Sequence, residues 1–198
     1  RPEVIELFQD KASFADLLVR LGVPPPATTL VDSIADLDRV PESVFSSAFL
    51  KPRDSQAFTE KFGRKAWWIP SRSEAARMVQ AATEAGLGMV VQEYIPGEAD
   101  RHVFVDGYCS IGGRIETVFA RRRLRMFPAD FGNSTALVSI GQGEVTAAIE
   151  SLEQLFAETE YRGIFSAEFK QDPRDGSFRI LEVNTRPWLF VDFAVRCG

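Results

Sequence analysis

The stretch FSAEFKQDPRDGSFRILEVNTRPW, residues 165–188, constrains this chain more than any other segment. Two runs rich in aromatic and branched residues flank Asp172-Pro173-Arg174-Asp175-Gly176, a cluster of turn-forming residues. The runs read as strands over Ile164–Lys170 and Phe178–Asn184. A turn centred on Asp175 places Glu168 opposite Glu182 and Ser166 opposite Asn184. Side chains alternate along a strand, so Glu168, Glu182 and Asn184 are expected on one face, beside Ile164, Phe178 and Ile180. Facing carboxylates repel unless a cation lies between them. A hard divalent cation such as Mg²⁺ takes oxygen ligands and shares its shell with phosphates. The competing reading is a solvated face with two unrelated glutamates.

The rest of the chain alternates helical and extended patterns. Phe14, Leu17, Leu18 and Leu21 mark a helix over Lys11–Leu21, with Asp10 as N-cap and Gly22 as terminator. Strands are expected near Thr28–Val31, Ala48–Lys51, Ala66–Ile69 and Met89–Ile95. Further strands are expected at Arg101–Val105, at Tyr108–Ile111, and from Ile115 to about Met126. Weaker helical patterns cover Ile34–Arg39 and Ser73–Ala85. The clearest helix is Glu144–Glu160, with Val145, Ala148, Ile149, Leu152, Leu155 and Phe156 in one stripe. Residues 53–66 show no period and read as a loop. The class is α+β with antiparallel hairpins, divided into an N-terminal lobe over 1–91 and a C-terminal lobe over 92–198.

Composition narrows the function. The net charge is -5 over 198 residues, which disfavours a nucleic-acid binder dependent on phosphate neutralisation. The arginines at 121, 122, 123 and 125 suit a small phosphate ligand equally well. Cys109 and Cys197 are far apart and the chain has one histidine, so neither a zinc site nor a disulfide framework is expected. No apolar run reaches membrane length. A cytoplasmic protein without nucleic-acid or membrane partners is the expectation. The chain begins at Arg1 rather than Met and reads as a piece of a longer protein.

Several residues suit a nucleotide. Lys51 ends a buried strand, where an ammonium needs an anion or a route to the surface. Lys11 lies in the first turn of its helix, where a bound anion would offset the opposing macrodipole; an ordinary exposed lysine is the alternative. Gln92-Glu93-Tyr94-Ile95-Pro96-Gly97-Glu98 reads as a hinge with backbone groups and acids for a base and a ribose, or else as an edge strand with solvated acids. His102 reads as structural or peripheral.

These residues together resemble the ATP-grasp superfamily, and within it the predicted carboligase group related to D-aspartate ligase. The resemblance rests on Lys11 with the following Gly-x-Pro, on FLKPRDSQAF, QEYIPGE and AEF, and on LEVNTRPW. It implies two α+β lobes gripping ATP in a cleft, and Lys11 and Lys51 on the phosphates. It also implies a closing loop over Arg53–Lys65, with Lys61 or Lys65 as an added contact. Glu93 with the Tyr94–Ile95 backbone would hold adenine, and Glu98 or Asp100 the ribose. Glu168, Glu182 and Asn184 would bind Mg²⁺, with Mn²⁺ as a substitute. Arg186 would face the γ-phosphate and an acyl phosphate, and Arg121 or Arg123 a phosphate or substrate carboxylate. The implied activity is ligation of a small-molecule carboxylate to an amine. Other ATP-grasp reactions (a carboxylase or a kinase) and a non-catalytic nucleotide-binding regulator are the alternatives. The loop departs from the glycine-rich type in having only Gly63. The resemblance also implies an upstream domain that helps hold the substrate, and homo-oligomers would form through regions outside the chain.

Overall fold

The computed structural model describes residues 2–53, 55–128 and 132–197. It divides into two compact units: residues 26–94, and residues 1–25 together with 95–198. No helix among the described residues is long and apolar enough to cross a membrane.

The 26–94 unit is built on a four-stranded antiparallel sheet. Its strands are β1 (Thr28–Val31), β2 (Ala48–Pro52), β3 (Trp67–Ile69) and β4 (Met89–Glu93), in the order β1-β4-β2-β3. One sheet face presents Val31, Ala48, Leu50, Ile69, Met89 and Val91 to a core. Ala75, Val79 and Ala82 of a helix over Arg72–Glu84 join that core. This helix starts at Ser71, whose hydroxyl accepts from the Glu74 N–H.

The second unit has a five-stranded antiparallel sheet. Its strands are β5 (His102–Cys109), β6 (Ile115–Phe127), β7 (Asn133–Ile140), β8 (Gly163–Gln171) and β9 (Phe178–Asn184), in the order β7-β6-β5-β8-β9. We label the helices α1 (Pro2–Gln9), α2 (Lys11–Leu21), α3 (Ser55–Phe62), α4 (Arg72–Glu84), α5 (Thr146–Thr159) and α6 (Val191–Cys197). One sheet face carries Val103, Val105, Phe165, Ala167, Phe169, Ile180 and Val183 into a core with Leu152, Leu155 and Phe156 of α5. The expected N-terminal lobe is corrected here. Phe8 of α1 and Phe14, Leu17 and Leu18 of α2 belong to this second core, because their apolar stripe completes the cover over the same sheet face. The first 25 residues therefore group with the C-terminal unit.

Local chemistry sets the ends of α2. The Asp10 carboxylate accepts from Ser13 N at 2.9 Å, and Gly22 takes the left-handed conformation with φ 70°.

Other elements differ from expectation. Residues 53–66 contain α3 rather than an irregular loop; Asp54, within that span, lies outside the described residues. Phe58 is fully buried and packs on Phe62 and Trp67 at ring distances of 4.9 and 4.7 Å. With only two apolar anchors of its own, the helix leaves no readable period, and Trp67 supplies the rest. A single strand, β5 (His102–Cys109), replaces the two expected within 101–111. Gly107 reads as a break in the sequence, yet it lies inside β5, where a Cβ would collide with the Thr117 carbonyl and the Phe165 ring. Helix α1 and strand β7 were not expected at all.

The β8–β9 hairpin has the expected pairs, Glu168 opposite Glu182 and Ser166 opposite Asn184. It reaches them differently. Near the turn, Gln171 faces Phe178 and Phe169 faces Ile180, one residue out of the expected register. An irregularity between the Glu168 and Phe169 pairs, which leaves Leu181 unpaired, restores it. The extra residue turns Ile180 to the core face, so Ile180 does not share the face of Glu168 and Glu182.

Asp172 is fully buried under the turn. Its carboxylate accepts from Arg174 Nε at 2.8 Å and Arg174 N at 3.0 Å, and pairs with Arg179 at 3.4 Å. The Arg174 bonds hold its carboxyl at about 2, against an ordinary 3.8. The folded value lies below the unfolded one. The stabilisation is therefore complete above about pH 4 and lost as pH falls through about 2. Asp172→Asn is expected to destabilise the fold at neutral pH, with the gap to the parent closing between about pH 4 and pH 2. Urea unfolding across that range measures it; a gap independent of pH would remove the charge as the source.

Candidate functional site

The face of the five-stranded sheet opposite its core is polar, and alternation explains why. On β5, His102, Phe104 and Asp106 project to this side, paired with Lys170, Glu168 and Ser166 of β8. On β6, Arg121 faces Phe104, and Arg123 lies two residues on. On β9, Glu182 and Asn184 face Glu168 and Ser166. Arg122 points to the other side, where it bonds the Asp100 carbonyl at 3.0 Å and Glu144 at 3.1 Å. The run of arginines is thus divided between the two faces.

Two buried ion-pair sets occupy the polar face. Arg121, 2% exposed, donates from Nε to Asp106 at 2.6 Å and from NH2 to Asp106 and Ser166 at 3.2 Å. Its guanidinium stacks on Phe104 at 4.0 Å. Burial pushes the Asp106 carboxyl up, and the Arg121 bonds oppose that. The Trp188 indole N–H approaches the same carboxylate without a well-aligned hydrogen bond. Arg121 NH1 is buried with no acceptor. In the second set, Glu168 Oε1 accepts from His102 Nδ1 at 2.6 Å and pairs with Arg123 NH2 at 3.1 Å. Arg123 also bonds Ser134 at 2.8 Å. Burial lowers the His102 pKa despite Glu168.

Lys170 lies beside this set and is 3% exposed. Burial, reinforced by Arg123, pushes its ammonium down to about 8 against the pull of Glu98 and Glu168. The face therefore gathers Arg121, Arg123, Lys170 and His102 around two carboxylates. Such an arrangement favours an additional anion. At its edge, Glu182 is exposed and accepts from Asn184 Nδ2 at 2.9 Å. That bond turns the Asn184 amide oxygen away from Glu182. Two carboxylates and one amide oxygen form a hard oxygen donor set, which fits Mg²⁺ in chemistry. No cluster of three or more His, Cys, Asp or Glu disposed for a metal occurs among the described residues.

The remaining expected residues are placed as follows. Strand β9 ends at Asn184, so strand alternation does not carry Arg186 onto the polar face; it lies exposed in the bend that follows. Glu98 and Asp100 are exposed. Lys11 is half-buried in the first turn of α2. In the 26–94 unit, Lys51 is half-buried with Nζ 5.1 Å from the centre of the Phe49 ring. Lys61 is exposed on α3, and Lys65 is exposed beyond it. The Glu93 carboxylate accepts from Ala27 N at 3.3 Å. The Tyr94 N–H already donates to Ser47 O at 2.8 Å, so it is not available to adenine as expected. Ile95 is buried. A cavity of about 450 Å³ on the 26–94 unit, lined by Ile34, Leu37, Asp38, Arg72, Ser73 and Ala76, includes none of the expected site residues.

Sequence reasoning missed Asp106, Ser166 and Lys170 and gave His102 no partner. Period two from Glu168 points to Lys170 and Ser166. Reading 101–111 as one strand would have placed His102 and Asp106 as well.

No family model matches the chain. The D-aspartate ligase of Enterococcus faecium (strain Aus0004) is 25% identical to it over 194 residues, 92% of this chain and 45% of the relative. The L-amino acid ligase from Bacillus licheniformis superposes with a TM-score of 0.67 at 17% identity, over 91% of this chain and 41% of that one. An N5-carboxyaminoimidazole synthase from Aspergillus clavatus, in complex with ADP and 5-aminoimidazole ribonucleotide, gives 0.68 at 13% identity, over 94% and 47%. The chain spans less than half the length of each of these relatives.

Proposed function

We propose that this chain, which has the ATP-grasp fold, is the nucleotide-binding part of an ADP-forming ligase that joins a carboxylate to an amine. The observation that carries the reading is Glu168 opposite Glu182, with Asn184 beside them, on a face rich in buried cations. The D-aspartate ligase relative and the ADP-bound structural neighbour support it. Binding alone does not require Glu168, Glu182, Asn184 and Arg186 together, which favours an enzyme over a regulator.

Within the 95–198 segment, Glu168, Glu182 and Asn184 would hold Mg²⁺. The metal supplies charge neutralisation at phosphate oxygens. Arg123 and His102 hold Glu168 in place, and Asn184 orients Glu182. Arg186 would meet the developing charge on the transferred phosphoryl group. Arg121, fixed by Asp106, keeps NH1 for a phosphate or carboxylate oxygen. Lys11, Lys51 and Lys61 or Lys65 would bind phosphates. Glu93, with the backbone at Ile95, would meet adenine, and Glu98 or Asp100 the ribose. The substrate carboxylate attacks the γ-phosphoryl group, giving an acyl phosphate and ADP. The amine then attacks the acyl carbon, and inorganic phosphate leaves as the amide forms. The residues act by positioning and charge, and no protein nucleophile is needed. A cytoplasmic setting suits the reading, since thiols such as Cys109 and Cys197 stay reduced there.

The test uses the full-length protein with Mg-ATP and a panel of amino acids and other carboxylates. A ligase releases ADP only with its carboxylate, and hydroxylamine traps the acyl phosphate as a hydroxamate. ADP release with a phosphorylated alcohol and no hydroxamate would assign a kinase instead.

A further inference from the structure

The two oxygens of Glu168 differ in what they can still bind. Its Oε1 accepts from His102 Nδ1 at 2.6 Å and pairs with the Arg123 guanidinium at 3.1 Å. A carboxylate paired with a guanidinium only accepts, so His102 must carry its proton on Nδ1. Both lone pairs of Oε1 are thereby taken by N–H donors. Neither donor is loosely held. His102 is 8% exposed on β5, diagonal to Glu168 and directly opposite Lys170 across β8. Arg123 is buried, donates to Ser134 at 2.8 Å and lies over the Phe104 ring at 5.1 Å. Glu182 shows the same asymmetry more weakly, with its Oε1 accepting from Asn184 Nδ2 at 2.9 Å.

This limits the bonds a carboxylate can make to a cation. Chelation through both oxygens requires a lone pair on each turned to the metal. The donors on Glu168 Oε1 prevent that, so a cation held by Glu168 bonds through Oε2 alone. Mg²⁺ takes about six oxygens at about 2.1 Å in near-ideal octahedral geometry and is satisfied by one oxygen per carboxylate. Ca²⁺ takes roughly six to eight at about 2.4 Å and draws on bidentate carboxylates to reach that number. A ligand confined to one oxygen suits the smaller ion.

We propose that His102 is a specificity-determining residue for the metal: with Arg123 it confines Glu168 to ligation through one oxygen, so that the site takes Mg²⁺ and discriminates against Ca²⁺. His102 acts through Glu168 rather than on the ion itself. This rests on the metal reading above and adds to it the residue that sets which ion is accepted.

The experiment titrates the full-length protein, by calorimetry, with the Mg²⁺ and the Ca²⁺ complexes of a non-hydrolysable ATP analogue. The parent should bind the Mg²⁺ complex more tightly. His102→Phe keeps a ring of similar size but donates nothing to Oε1. It should lower the Mg²⁺-to-Ca²⁺ affinity ratio by about tenfold or more, the scale of losing a partner that orients a metal ligand. His102→Asn, whose amide N–H can reach Oε1 from nearly the position of Nδ1, should restore most of the parent ratio, which a loss of packing would not predict. A His102→Phe protein that melts like the parent and keeps its ratio overturns the assignment. So does a His102→Asn ratio no nearer the parent than that of His102→Phe. A crystal of the parent with the Ca²⁺ complex decides even if the variants fail to fold: one Glu168 oxygen on the ion is expected, and both oxygens on it overturn the assignment. A parent that binds the analogue equally with and without metal defeats the metal reading itself. A parent that binds the Mg²⁺ and Ca²⁺ complexes equally overturns this inference alone.

Discussion

Replacing Glu182 by Ala is expected to leave folding stability within about 0.5 kcal/mol of the parent. Mg-ATP-dependent turnover of the full-length protein should fall by about a thousandfold. The two effects separate because of where Glu182 sits. Its side chain is exposed, so truncation opens no cavity. It faces Glu168 across β8 and β9, so removing it also removes a like-charge pairing. Asn184 loses an acceptor, but it is only half-buried and can bond water. In the proposed reaction, however, Glu182 is one of three oxygen ligands, and losing it leaves phosphoryl charge poorly neutralised. Chemical denaturation and steady-state ADP release on one preparation measure both quantities. Full turnover in the variant would remove the metal assignment, and a large stability loss would mark Glu182 as structural.

The second large effect is expected at Arg186. Arg186→Lys should preserve ATP affinity while kcat falls by roughly a hundredfold. A guanidinium bridges two oxygens in a fixed plane, whereas an ammonium offers a point charge on a flexible stem. Nucleotide binding would still draw on the lysines, the metal and the base-binding residues. Arg186 lies beyond the last β9 residue, in a bend before Pro187. Its side chain is exposed and outside the sheet, so it is open to a ligand that carries charge developing during reaction. Isothermal titration and single-turnover kinetics on the same variant decide. Unchanged kcat, or affinity and kcat falling in equal proportion, would reject a role confined to the transition state.

Both predictions depend on a hairpin whose register was readable from Asp172–Gly176 and the two flanking β-runs. Two deviations cancel there: a turn one residue shorter than expected and a single unpaired residue at Leu181. The carboxylate pair was thus legible, but the neighbours on its face were not. Ile180 was expected beside Glu182 and lies in the core instead. Alternation assigns sides only as long as no residue is inserted, and a bulge leaves no clear mark in composition.

Helix α2 shows what local sequence settles by itself. Asp10, the stripe of Phe14, Leu17 and Leu18, and Gly22 specify its start, its buried face and its end, because each acts within one or two turns. Which sheet that face covers was decided by the tertiary structure, and residues 1–25 joined the C-terminal unit against expectation. Helix α3 is the converse case: its anchor Phe58 is completed by Trp67, a partner outside the helix. The chemistry divides along the same line. Glu168, Glu182 and Asn184 were readable because their partners lie within one hairpin. The grip of His102 and Arg123 on Glu168 joins residues 66 and 45 positions apart. Such contacts depend on strand order and register across a whole sheet, which hydrophobic pattern and turn chemistry constrain only between neighbours in the chain.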